Sequence, residues 1–320
     1  MQRFILVRTL HSFIALWIIS VIVFSLIRIS GSPADALLPE EATADQIATL
    51  EEYWGVNDPL HVQYFEYIAN MFKGNFGDSF KWRGRTTREL IAQRIPATLQ
   101  LAGVALLISV VVAVPLGILS AVKKDTVPDF SGKIFALLGQ SLPSFWLGIL
   151  IILGLLIASQ NIFGEPWLPP IEYVSPLDDF GTNISQLVWP ALATGYRYSA
   201  VIARMTRSAL LDVLREDYVR TAYAKGLTPR KIVSRHALRN AFLPVITIIG
   251  MEFSFFIGGL VVTEQVFNLN GLGRLMVDSV LYSDYTVIQA LTMVIVAVFV
   301  LINFAIDILY ARLDPRIRYT

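Results

Sequence analysis

The feature that most restricts this chain is a repeated run of about 20 largely apolar residues, the length of helix that crosses a bilayer core. A backbone at that depth must satisfy its hydrogen bonds internally, and a single run can do so only as a helix. Six such runs stand out: Thr9–Ile29, Ala97–Val122, Ile134–Ser159, Leu187–Ala209, Phe242–Thr263 and Tyr285–Tyr310. Only 16% of the 320 residues are charged and 55% are hydrophobic, so a soluble domain is a poor alternative. The expected fold is all-α, a polytopic membrane protein with six transmembrane helices. Pro143, inside the third run, is expected to kink that helix or free a carbonyl.

Charge gives the orientation. Arg3 and Arg8 precede the first run, Lys123 and Lys124 close the second, and Arg312, Arg316 and Arg318 follow the last. From Arg204 to Asn240 nine Lys/Arg face three Asp/Glu. Ser32–Arg94 carries ten acids against six bases, and Asn161–Gln186 four acids and no base. Basic loops stay on the cytoplasmic side, so both termini are expected inside. The implied organisation is a cytoplasmic N-terminus and first helix over 1–31, then an extracytoplasmic loop with short helices over 32–96. A five-helix core over 97–310 contains a basic loop at 210–241, and a cytoplasmic tail covers 311–320. Thr43 and Pro59 mark starts of short helices in the outer loop. A cleaved signal peptide is the rival for the first run, because Ser30-Gly31-Ser32 follows it, but the run exceeds the roughly 7–15 residues of a signal core. A net charge of +1 argues against a nucleic-acid partner, and the absence of Cys removes disulfides and thiolate metal sites.

The basic island Arg215–Pro244 has specific local chemistry. Arg220–Lys225 reads as helix with small Ala222 and Ala224. Gly226 suits a left-handed helix end, Thr228 a new N-cap, and Pro229 a first helical position. Two short helices joined by an elbow at Gly226 are expected. Such an elbow fits a knob for another protein's groove; the alternative is a basic loop on anionic lipid head groups.

Catalytic signals are lacking. No GxxxxGK[ST], HExxH or GxSxG occurs, and Gly271-Leu272-Gly273 lacks the third glycine of a dinucleotide fingerprint and reads as a turn. The three His (11, 61 and 236) are scattered. Polar residues within the runs remain: Gln140, Arg197 and Glu252, with Asn303 and Asp307 near the inner end of the sixth. Two readings of Arg197 are open. It pairs with Glu252 to join the fourth and fifth helices, or it lines a translocation path and binds a peptide carboxylate. Met251, Phe253, Phe255 and Phe256 flank Glu252 and are expected to pack.

The island resembles the EAA loop of ABC-importer permeases, whose coupling helices dock on ATPase subunits. Arg220-Thr221-Ala222 followed by Gly226 stands where Glu-Ala-Ala…Gly is usual, and Arg239 replaces the usual downstream Pro. Both departures are similar to the first, B-type, permease of the peptide/nickel subfamily. The likeness extends through Trp54-Gly55-Val56-Asn57-Asp58-Pro59-Leu60, Gly74-Asn75-Phe76-Gly77-Asp78-Ser79, Arg94-Ile95-Pro96-Ala97-Thr98-Leu99, Glu264-Gln265-Val266-Phe267 and Asp314-Pro315-Arg316.

The resemblance implies the type I importer permease fold in a bacterial inner membrane, translocating oligo- or dipeptides by alternating access. It implies two ATPase subunits, a paralogous second permease, an extracytoplasmic substrate-binding protein and membrane lipid as partners. ATP and magnesium would sit on the ATPase subunits, with no catalytic residue, metal or cofactor in this chain. It places the ATPase-facing surface on Tyr218, Thr221, Ala222, Ala224 and Lys225, continuing through Gly226, Leu227, Arg235, His236 and Asn240. Other cargoes of the same machine are a nickel chelate, an oligosaccharide, haem or glutathione. An ion-coupled secondary transporter is the rival of another class, but it would show an internal repeat and midplane carboxylate relays, and only Glu252 is seen.

Overall fold

A computed structural model of the chain describes residues 2–29 and 58–313. They are helical: α1 (Gln2–Ile29), α2 (Leu60–Phe72), α3 (Thr87–Val122), α4 (Val127–Ser141), α5 (Ser144–Phe163), α6 (Phe180–Val213), α7 (Asp217–Ala224), α8 (Pro229–Lys231), a π-helical segment Ile232–Ala237, α9 (Leu238–Val266), α10 (Leu272–Leu281) and α11 (Tyr285–Leu313). No strand forms among the described residues beyond one isolated bridge, Asp78 to Thr86. Pro59 precedes α2 as expected; Thr43 and the Trp54–Asn57 part of the family motif lie outside the described residues.

Two compact units form. The first takes the described residues up to Pro96 together with Gly271–Ala305. Its core is Leu90 and Ile91 of α3, Leu272 and Leu275 of α10, and Val287, Ala290 and Leu291 of α11. Gly271 is the N-cap of α10, so Gly271-Leu272-Gly273 opens a helix and is not the expected free turn.

A buried carboxylate closes this unit on its loop side. Asp284 is fully buried, and its Oδ2 accepts the Ser79 hydroxyl at 2.5 Å and the backbone N–H groups of Phe80 and Lys81 at 3.0 and 3.1 Å. The Ser79 Oγ in turn accepts the Trp82 N–H at 3.0 Å. One side chain thus anchors the whole 79–82 turn to the start of α11. Asp284→Ala removes the acceptor of the buried Ser79 hydroxyl and of the part-buried Phe80 and Lys81 N–H groups, so we expect a loss of about 2 kcal/mol from unsatisfied hydrogen bonds. Faster proteolytic nicking of the 79–85 loop in membranes is the readout, and unchanged nicking refutes the anchoring role.

The second unit takes Ala97–Asn270 and the described residues from Ile306 onward. Its centre is α6, which packs against α9, α4 and α5. Tyr198 of α6 stacks on Phe256 of α9, with ring centroids 3.8 Å apart, within a cluster that includes Leu101, Leu187 and Leu260. Close backbone approach depends on glycine at two points. A Cβ on Gly139 would lie 2.6 Å from that of Ala200, and one on Gly117 would lie 2.6 Å from that of Thr206. Small residues permit this spacing where helices gain no hydrophobic drive from lipid.

Among the described residues five helices are long and apolar enough to cross a membrane: Ile5–Ile29, Thr87–Val122, Ser144–Phe163, Pro229–Phe253 and Tyr285–Ile308. The expected fourth run lies in α6, which at 34 residues has the length but not the apolarity. Burial is the reason: sixteen of its residues are buried, including Asn183, Gln186, Thr194, Ser199 and Thr206, so protein rather than lipid solvates much of its surface. The third run is also redrawn. Pro143 does not kink one helix. It separates two, because Leu142 before it is extended (φ −90°, ψ 126°) and Pro143 itself sits at ψ 138°. A residue preceding proline is driven out of the α region, and the apolar helix therefore begins at Ser144 rather than Ile134.

Candidate partner-docking site

The basic island begins with α7. Glu216 takes the extended N-cap position and Asp217 sits in the first turn, where a carboxylate is favoured by the helix dipole. The helix ends in a Schellman motif: Gly226 at φ +74°, its N–H donating to Tyr223 O at 2.9 Å, and the Leu227 N–H to Ala222 O at 3.3 Å. Leu227 then packs beside a small core of Val219, Ala222 and Ile232. The elbow expected at Gly226 is thus present and has its own apolar footing.

The segment after the elbow differs from expectation. Pro229 does occupy the first helical position, but Thr228 makes no side-chain cap; its carbonyl accepts the N–H groups of Lys231 and Ile232 at 2.9 and 3.1 Å. No second short helix stands alone. One turn of α8 runs through the π-helical segment into α9 without a break. The Asn240 amide donates to the Tyr218 hydroxyl at 2.9 Å, pinning α7 to the start of α9.

Exposure sorts the sequence-predicted residues. Tyr218, Thr221, Ala224, Lys225, Gly226, Arg235 and Asn240 are exposed, whereas Leu227 and His236 are half-buried. Ala222 is buried, only 6% exposed, so it supports α7 from beneath and offers no surface. Thr221 is turned back to its own helix, donating to Asp217 O at 3.0 Å.

The intramembrane candidates make no direct bond to one another. Arg197 is exposed and Glu252 half-buried, and no ion pair joins them among the described residues, so the helix-joining pair is not formed. α6 and α9 meet instead through the stacked rings of Tyr198 and Phe256, each beside one of the two charged residues. Gln140 is exposed and donates to Ala136 O of its own helix at 3.0 Å, so it does not face the interior of the bundle. Phe253 and Phe256 pack as expected, while Met251 is exposed.

Two polar clusters escaped the sequence reading. Asp129, in the first turn of α4, is fully buried and accepts Arg207 Nε and Nη2 at 2.6 and 2.9 Å, the Ser120 hydroxyl at 2.5 Å and the Asp125 N–H at 3.0 Å. Lys133 Nζ lies 3.0 Å away. The Arg207 guanidinium, against the opposing effect of burial, holds this carboxyl well below the usual carboxylate range. Thr126 and Pro128 signal a helix start before Asp129, but its partner lies 78 residues on, beyond any local pattern.

The second cluster ties the 164–179 loop to α3 and α6. Gln100 and Asn183 exchange amide hydrogen bonds at 2.6 and 3.0 Å, Tyr173 donates to Gln100 at 2.8 Å, and Asn183 donates to Val174 O at 2.7 Å. Gln186 donates to the carbonyls of Pro170 and Glu172. Asn183 is thereby fully buried.

Known proteins resemble this chain throughout. Residues 113–319 match the family described as binding-protein-dependent transport system inner membrane component, and residues 1–102 match its N-terminal companion. The chain is 36% identical to a probable peptide ABC transporter permease of Sinorhizobium fredii and 38% identical to the oligopeptide transport system permease AppB of Bacillus subtilis. It is 39% identical to the glutathione transport system permease GsiC of Salmonella typhimurium, and all three alignments cover 100% of both chains. Among solved structures, the inward-facing MetNI methionine ABC transporter superposes with a TM-score of 0.54 at 21% identity, over 70% of this chain and 96% of that one. At that identity the likeness speaks for the fold alone.

Proposed function

The chain belongs to the family of binding-protein-dependent transport system inner membrane components, and on that premise we propose that it is a permease subunit moving peptides inward by alternating access. The observation that carries the coupling is the braced elbow: α7 is held by the Schellman turn, the Val219–Ala222–Ile232 core and the Asn240–Tyr218 bond. A knob held in three ways moves as one body and passes force to α9, with which the island is continuous. An ATPase pair clasping its exposed face therefore has a rigid handle on the membrane helices. ATP binding shifts the transporter only to the extent that the closed ATPase pair favours one arrangement of the helices over the other.

In this reading Tyr218, Thr221, Ala224, Lys225, Gly226, Arg235 and Asn240 form the ATPase-facing surface. Leu227, His236 and buried Ala222 support it. ATP and magnesium belong to the ATPase subunits. A paralogous permease completes the membrane portion, and an extracytoplasmic binding protein delivers cargo. The protein is multi-pass in the membrane, with α6 as the fourth of six spans and both termini cytoplasmic. The relatives' names support a peptide cargo, since glutathione is itself a tripeptide. Arg197, exposed and without an ion pair to Glu252, is assigned to the translocation path, where it would meet a peptide carboxylate.

The test is affinity purification of the tagged full chain from its host membranes, followed by peptide uptake in vesicles. We expect two ATPase subunits and a second permease to be recovered, and Arg197→Ala to impair uptake with the complex intact. Recovery without any ATPase overturns the reading; normal uptake by Arg197→Ala removes only that residue from the path.

A further inference from the structure

We infer that this chain carries a binding site for an acidic phospholipid in the cleft between α3, α4 and α6. The cleft holds about 290 Å³ and combines two chemistries. Leu116, Ala136, Leu137 and Ala203 form its apolar wall, while Lys133, Arg204 and Arg207 bring three cations. No carboxylate lines it.

The carboxylate nearest these cations is already committed. Asp129 is fully buried beneath the cleft and engaged bidentately by Arg207. Lys133 Nζ also reaches Asp129 at 3.0 Å and exposed Asp125 at 4.0 Å, so Lys133 and Arg207 share one buried carboxylate and keep a net positive charge. Arg204 has no hydrogen-bond or ion-pair partner among the described residues and is exposed. Its guanidinium offers parallel N–H donors suited to a phosphate. Gln140, at the far end of the cleft, has its amide N–H bonded back to Ala136 O.

The arrangement matches an acidic phospholipid in both parts. The phosphodiester sits against Arg204, with Lys133 and Arg207 adding positive potential, and an acyl chain lies along Leu116 and Leu137. Basic pockets between membrane helices on the cytoplasmic side take acidic head groups by this combination of field and apolar surface. Ser120 just precedes, and Asp129 and Lys133 closely follow, Lys123-Lys124, the basic pair that marks the inner end of the second span, so the lipid belongs to the inner leaflet. Only that leaflet assignment rests on the orientation proposed above. The site is separate from the basic island, whose cations run from Arg215 to Arg239.

The experiment is native mass spectrometry of the intact complex, purified in a neutral detergent and offered dioleoyl-phosphatidylglycerol or dioleoyl-phosphatidylcholine. We expect one phosphatidylglycerol retained per copy of this chain and no retained phosphatidylcholine. Arg204→Ala should lower that retention roughly fivefold, the effect of one basic residue at an anionic surface. Leu137→Trp, which fills the apolar wall without touching the cations, should also reduce it, and Arg235→Ala on the island should not. Equal retention of both lipids, or indifference to Arg204→Ala and Leu137→Trp, overturns the site. Loss in Arg235→Ala alone moves the lipid to the island and overturns it as well. Glycerol phosphate at millimolar concentration should not displace the lipid; displacement would show a free-phosphate site and refute the acyl-chain component.

Discussion

Gly226→Trp should leave the protein inserted and assembled yet reduce peptide uptake by roughly tenfold or more, within the range of a coupling free energy of 1–3 kcal/mol. ATP hydrolysis should continue without matching uptake. Two structural facts make this substitution a clean probe. Gly226 sits at φ +74°, where any other residue is strained, by about 1–2 kcal/mol for an L-residue. A Cβ there meets nothing within 4 Å, so the added bulk projects outward from the chain. The damage therefore falls on whatever seats against the elbow, not on the packing of the island. Gly226→Ala separates the two effects, since it carries the backbone strain without the bulk, and it should retain most uptake. Ala222 is unsuitable for the same test: it is buried against Val219 and Ile232, so a large residue there would loosen α7 from within. Vesicle uptake of a labelled peptide, measured alongside phosphate release, decides the matter. Wild-type uptake by Gly226→Trp removes the elbow from the coupling path.

Asp129→Ala should be among the most destabilising single changes in the chain. It leaves Arg207 half-buried without its carboxylate and strands the Ser120 hydroxyl and the Asp125 N–H. Breaking one side of a buried ion pair typically costs about 3–5 kcal/mol, whereas replacing both sides by apolar groups is often close to neutral. Asp129→Ala combined with Arg207→Met should therefore recover much of the loss. Thermal retention of the complex in detergent provides the cycle. Additive losses in the double variant would show that the two residues act separately. The same group sets a pH dependence. Its folded-state affinity for a proton lies below that of a free carboxylate, so its contribution is complete above the ordinary carboxylate range and fades as pH falls below it. The stability difference between wild type and Asp129→Asn should stay constant from about pH 5 to pH 8 and shrink below about pH 4, where free carboxylates become protonated.

Local sequence made the elbow legible. Gly226, Leu227, Thr228 and Pro229 are adjacent, and each carries a conformational preference that neighbours alone can express. The break at Pro143 was also within reach, because the residue before a proline is pushed to extended backbone, yet the surrounding apolarity made one long helix the natural reading. The anchors were out of reach. Asp284 holds Ser79 across 205 residues, and Gln100 meets Asn183 across 83. Nothing near either partner announces the other.

The composition and spacing of the apolar runs by themselves determined an all-helical chain of membrane-span helices, and the residue order of the island determined its turn. Hydrophobic length and backbone preference are properties of consecutive residues, so both are written along the chain. Only the tertiary structure decided that α6 is enclosed by protein, that Asp129 and not Gln140 is the buried polar centre beside it, and that Arg197 and Glu252 form no direct ion pair. Those outcomes depend on which faces of distant helices meet, and a helix face acquires its environment only when its neighbours arrive.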